Sequence, residues 1–222
     1  MRYLYKDQSN RGGAALFVSS ALVFLLLLLL LAVQPELAPA QAWLLLFILL
    51  LLAAAVAYHK MTAPQFHVEC NEYGVIYHHR AGSWLLPWHA FAYAQVAELP
   101  EHGELAFVGF KVTALDSFLP HLPLRLAVRL IIEQRHLLLA ALRQNCPTGH
   151  CPAEFLMETG PYHSQQRDYH GVQAMFAHRM QHCAQLLGLE LFIPSHGLPV
   201  TAVEFCRQVN QSRLRYLKNT QT

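Results

Sequence analysis

The chain has 222 residues, 54% of them hydrophobic, with 16 Lys and Arg against 14 Asp and Glu and a formal net charge of +2. So small an excess excludes a strongly cationic nucleic-acid binder, and no nucleic-acid partner is expected. Much of the hydrophobic share sits in two N-terminal runs, leaving a chain after Tyr58 long enough for one sizeable core.

Residues 1–13 are polar with Tyr3 and Tyr5 interspersed and read as a solvated tail. Residues 14–33 and 42–58 are two apolar runs free of charged side chains. As helices they suit a bilayer, because lipid obliges a backbone to satisfy its own hydrogen bonds. Trp43 and Tyr58 sit as interfacial anchors at the ends of the second run. The joining segment, with Pro35 and Pro39, ends the first helix and makes a hairpin. Arg2, Lys6 and Arg11 precede the hairpin and Lys60 follows it, whereas the joining segment carries only Glu36. The positive-inside rule then puts both termini in the cytoplasm. Ala38-Pro39-Ala40 and Ala40-Gln41-Ala42 look like signal-peptidase sites, but the first run is too long for a signal core and a second follows at once. In a reducing compartment, Cys70, Cys146, Cys151, Cys183 and Cys206 are free thiols or metal ligands rather than disulfides.

Beyond Pro64 the period turns to strand. Gln65–Cys70 alternates, Asn71-Glu72-Tyr73-Gly74 makes a tight turn with the glycine at positive φ, and Val75–His79 resumes. Trp84–Trp88, Phe91–Leu99 and Leu105–Leu115 complete a meander of about five strands, with Pro87 at a strand end, edge or bulge. Leu124–Gln144 reads as a helix packed on the sheet, although 126–132 fits a strand as well. Residues 145–162 read as a connection. Ser164 is the expected N-cap of a helix to Leu187, closed by Gly188. Leu189–Ile193 reads as a short strand. Thr201 and Glu204 open a last helix, to about Lys218.

Three clusters carry candidate chemistry. Cys146 and Cys151, with His178 and Cys183 on the following helix, offer a tetrahedral ligand set in which zinc would be the ion; His182 lies one turn from His178. Ordinary thiols and solvent-facing histidines explain the same residues. His163, Ser164 and Asp168 hold nucleophile and base chemistry in one stretch, but no glycine elbow surrounds the serine, and capping accounts for it more simply. Arg207, Arg213, Arg215 and Lys218 make the last helix basic. With Trp43, Tyr58 and Lys60 they are the candidates for contact with a membrane surface. Trp84 and Trp88 suit sheet-core packing or membrane-surface contact better than a ligand groove. Phosphate loops, paired carboxylates and His-Glu-x-x-His are all missing from the sequence.

The turn and strand Asn71-Glu72-Tyr73-Gly74-Val75-Ile76-Tyr77, with Leu86-Pro87-Trp88-His89-Ala90-Phe91, resembles the opening of bacterial PH-like domains. That resemblance implies a strongly bent antiparallel sheet capped by a C-terminal helix, with Pro123–Gln144 as the cap. Such domains often follow paired membrane helices. The whole arrangement also resembles an uncharacterised family of bacterial two-helix membrane proteins. Neither resemblance implies a catalytic residue.

The expected fold is therefore a membrane-anchored α+β chain: tail 1–13, transmembrane hairpin 14–58, antiparallel PH-like meander and helix over 65–145, and a C-terminal helical extension 146–222. The expected function is a cytoplasm-facing interaction or scaffold module at the bacterial inner membrane, binding protein or lipid headgroups, without catalytic residues or cofactor. Two readings compete with it. One is a metal-binding enzyme or sensor using Cys146, Cys151, His178 and Cys183; the other is an accessory subunit of a larger membrane complex. The sequence leaves the protein partner and the oligomeric state open.

Overall fold

The computed structural model describes residues 3–6, 13–33, 40–61, 66–99, 103–145 and 158–220. The chain is α+β and divides into two units, Asp7–Gln65 and a larger one comprising Met1–Lys6 with Phe66–Thr222.

The smaller unit holds α1 (Gly13–Val33) and α2 (Ala40–Met61), packed on each other with Phe24 and Phe47 in edge contact at 5.6 Å. Most of their large apolar side chains, among them Leu22, Leu25, Leu45 and Leu49, face outward. Within α1, Ser19 and Ser20 return their hydroxyls to the carbonyls of Leu16 and Phe17, so neither exposes an unmet donor. Among the described residues only α2, over Gln41–Tyr58, is both long and apolar enough to cross a membrane; the apolar stretch of α1, Ala15–Leu30, is shorter.

The larger unit begins with a strand where a tail was expected. β1 (Tyr3–Lys6) pairs antiparallel with β2 (Phe66–Cys70), Tyr3 opposite Cys70 and Tyr5 opposite Val68. Tyr5 is buried, its ring edge-on to Phe205 at 4.9 Å and its hydroxyl donating to Gln208 Oε1 at 2.6 Å. β3 (Gly74–His79) and β4 (Gly82–Pro87) continue the first sheet in the order β1-β2-β3-β4. The β2–β3 turn is held by Asn71 Oδ1, which accepts the N–H groups of Tyr73 and Gly74 at 2.9 and 3.1 Å. Gly74 does not have the positive φ expected of it. Its need is space: a Cβ there would lie 2.1 Å from the carbonyl oxygen of Leu86 on β4.

β5 (Phe91–Leu99) and β6 (Gly103–Val112) form a second antiparallel sheet, whose third strand is β9 (Leu191–Pro194), in the order β5-β6-β9. Thus the chain after residue 145 is not a helical extension laid on a finished domain, since one of its strands completes the sheet. Between β6 and β9 come α3 (Leu115–Phe118), α4 (Leu124–Glu133), α5 (Arg135–Asn145), the two-residue strands β7 (Tyr162–His163) and β8 (Asp168–Tyr169), and α6 (Gly171–Leu187). The stretch 126–132 is helical, with Leu126, Ala127 and Leu130 buried on one face. The expected single helix to Gln144 breaks at Gln134, whose side-chain amide donates to the Phe192 carbonyl at 2.9 Å while its own carbonyl accepts from Arg179 at 2.7 Å.

α6 starts six residues later than expected, and Ser164 shapes the β7–β8 turn instead of capping it. Gly188 closes α6 in the left-handed conformation, φ 77°. α7 (Ala202–Thr220) opens with Thr201 Oγ1 accepting the Glu204 N–H at 3.3 Å. It packs on β5, where the Asn210 side chain both accepts from the Ala94 N–H (2.8 Å) and donates to its carbonyl (2.9 Å). A sheet edge is thereby closed by a side-chain amide.

Trp84 lies at the centre of the main core, with Tyr77, Phe110 and Phe118 within 5.8 Å centroid to centroid. Trp88 is buried as well, its indole N–H donating to the Asn71 carbonyl at 2.8 Å. A second cluster joins α5, α6 and β9 through Leu138, Cys183 and Phe192.

Candidate functional site

The sequence candidates are scattered rather than gathered. Cys146 and Cys151 lie outside the described residues. His178 and Cys183, five apart on α6, point about 140° apart around a helix. Cys183 is buried, and burial raises its thiol to about 11 even beside Arg179. His178 and His182 instead face Glu158, one carboxylate oxygen lying 3.3 Å from His178 Nδ1 and 3.3 Å from His182 Nε2. Tyr162 packs edge-on against His178 at 5.1 Å. Among the described residues, no three or more His, Cys, Asp and Glu side chains are placed to hold a metal ion.

His163 Nδ1 does lie 2.8 Å from Asp168 Oδ1, because β7 and β8 pair these two residues. The pair is exposed, and the Ser164 hydroxyl is committed elsewhere, 2.6 Å from Asp116 Oδ1 and 2.9 Å from the Arg167 carbonyl. Its oxygen also accepts the N–H groups of Gln166 and Arg167. Asp116, which the sequence did not single out, receives the Tyr169 hydroxyl at 2.9 Å as well. Burial and that bond raise Tyr169 to about 12. This cluster pins the β7–β8 hairpin to α3.

The basic set on α7 divides in a similar way. Arg207 is tied to Glu204 at 2.7 Å, Arg213 lies over the Phe91 ring at 6.0 Å, and Lys218 is exposed. Arg215 lines a cleft of about 140 Å³ between α7 and the Asn71 turn, with Tyr216, Asn219, Trp88 and Cys70. In α2, Tyr58 is exposed, whereas the Trp43 indole N–H is shielded and unbonded. The side chain of Lys60 lies outside those described.

Among the buried ionic groups, Glu190 and Arg179 bind main-chain atoms in ways that escaped the sequence reading. Glu190, just before β9, receives Lys111 Nζ at 2.6 Å and the Val112 N–H at 2.7 Å. Arg179 is buried on α6 and serves the Gln134 carbonyl, its guanidinium lowered by desolvation. A carboxylate beside a glycine-closed helix end was the available signal for Glu190; Arg179 had none, since its partner is a main-chain carbonyl. Both stitch elements together, and neither opens onto a reaction site.

No curated protein and no solved structure matches the chain. A family model does match residues 68–215, from β2 into α7, which is most of the larger unit and excludes β1 and both apolar helices. The chain belongs to the family described as protein of unknown function (DUF2982).

Proposed function

We propose that the protein is a membrane-attached, non-catalytic interaction module. In this reading α1 and α2 cross the bacterial inner membrane as a hairpin, and the α+β unit works at its cytoplasmic face on a protein or lipid partner. One observation carries the reading: β1, before the two apolar helices, pairs with β2, after them. A strand cannot pair through a bilayer, so the chain between them crosses an even number of times. If α2 spans, α1 spans too, and both flanks lie on one side. The basic residues Arg2, Lys6 and Arg11 favour the cytoplasm for that side. The PH-like part of the reading is supported by antiparallel sheets and a closing helix. That helix is α7 rather than the stretch 123–144, with α3 to α6 set between β6 and β9.

Reporter fusions at the two ends test the topology: both are expected to report the cytoplasm, and opposite sides would overturn it. Purification in mild detergent tests the interaction role. Stoichiometric retention of a protein or of anionic lipid supports it, and a bare polypeptide with neither counts against it.

A further inference from the structure

We infer that the outer face of α4 is a docking surface for an anionic lipid bilayer. This inference rests on the membrane-attached module proposed above and names the partner of one of its faces. α4 buries Leu126, Ala127 and Leu130 and leaves an apolar stripe outside: Leu124, Val128 and Ile132 are 54%, 41% and 60% exposed. These residues recur every fourth position, so they form one line along the helix. Globular surfaces scatter single apolar side chains; three in line on an amphipathic helix mark a binding face.

Charge selects the partner. Arg125 and Arg129 run beside the stripe, and the β3–β4 turn brings Arg80 to the same shallow groove, which Val128 also lines. Glu133 is the one acid in this groove, and it is met by Arg129 at 2.9 Å and His79 at 3.3 Å. The face is therefore net positive, with aliphatic side chains between guanidinium groups. That combination fits lipid phosphates above an acyl boundary: the stripe enters the interface and the arginines meet the headgroups. The same chain supplies a helix apolar enough to cross a bilayer, so a membrane is within reach without a separate recruitment step.

The full chain is reconstituted in nanodiscs of phosphatidylcholine alone, or with about 30 mol% phosphatidylglycerol, and side-chain oxidation by hydroxyl radicals is read residue by residue. Leu124, Val128 and Ile132 are expected to be protected in the anionic discs relative to the zwitterionic ones, and to lose protection near 1 M salt, where the screening length falls to about 3 Å. Val203, exposed on α7, is the internal control and is expected to label alike throughout. Arg125→Gln with Arg129→Gln, both at solvent-exposed positions, is expected to weaken the contact about fivefold per arginine. Equal labelling of the stripe in both lipids, or protection indifferent to lipid charge and to the arginines, overturns the inference. If a co-purified protein protects the stripe and lipid does not, the lipid surface is refuted while the interaction module stands. Fusions reporting opposite sides would instead remove the module itself.

Discussion

Replacing Tyr5 by alanine tests whether the N-terminal strand is built into the α+β unit. The substitution removes a buried ring packed on Phe205 and a 2.6 Å hydroxyl bond to Gln208. Truncating a buried aromatic in a core costs about 3–5 kcal/mol, and a lost hydrogen bond adds about 1 kcal/mol. A terminal strand can detach alone, so the loss is limited to the free energy that docks β1. About 3 kcal/mol is a reasonable figure, more than a hundredfold in the opening equilibrium. Tyr5→Phe keeps the ring and should cost about 1 kcal/mol, roughly fivefold. Cys70 is the reporter, since it is buried opposite Tyr3 and its thiol is raised to about 12 by burial and by Glu69. Alkylation read on the Cys70 peptide is expected to accelerate modestly in Tyr5→Phe and strongly in Tyr5→Ala. Cys183, in the second core cluster, should keep its rate. Unchanged Cys70 alkylation in Tyr5→Ala would refute the docked strand and, with it, the even-crossing argument.

Gly74→Ala drives a methyl against the Leu86 carbonyl at 2.1 Å, and because the neighbour is backbone the strands must separate. A loss of about 3 kcal/mol or more is expected in thermal or denaturant unfolding, and a near-neutral variant would contradict the β3–β4 register. Alkaline pH should destabilise the protein. Cys70, Cys183, Cys206 and Tyr169 all titrate higher folded than unfolded, at about 12, 11, 11 and 12. The unfolded chain therefore loses protons first, and stability is full below pH ~9 and declines as pH rises towards 11–12. For Cys70 alone the loss is about 2 kcal/mol near pH 10.5, so Cys70→Ala should flatten the slope; an identical slope would contradict the assignment.

The strands were legible where alternation and local turn chemistry agreed. Phe91–Leu99 has the same ends in the sequence pattern and in the structure, and Gly188 closes its helix as its position implies. Ser164 misled because a serine oxygen taking N–H groups two and three residues on serves a hairpin turn as well as a helix start. The break at Gln134 has no proline or glycine to announce it and depends on Phe192 and Arg179, far along the chain. β1 was invisible for a related reason: four residues carry little pattern, and their partner follows two apolar helices. The basic helix α7 drew attention by composition, but Glu204 meets Arg207 and the Phe91 ring lies beneath Arg213. The α4 stripe was written in the sequence, yet only the packed face reveals which side of the helix is left over.

The β1–β2 pairing also sets an order of assembly. Tyr3–Lys6 leaves the ribosome before either apolar helix, and its partner strand follows only after both have been made. Phe205 and Gln208, which hold Tyr5, are made later still. β1 is thus fastened only after both apolar segments have been made, by residues about 200 positions further along the chain. Joining β1 to β2 closes a long loop whose entropic cost grows only slowly with length, so the intervening helices can be accommodated. Until β1 docks, the β2 edge it covers is an unpaired strand, the point at which a chaperone or a second copy would find one.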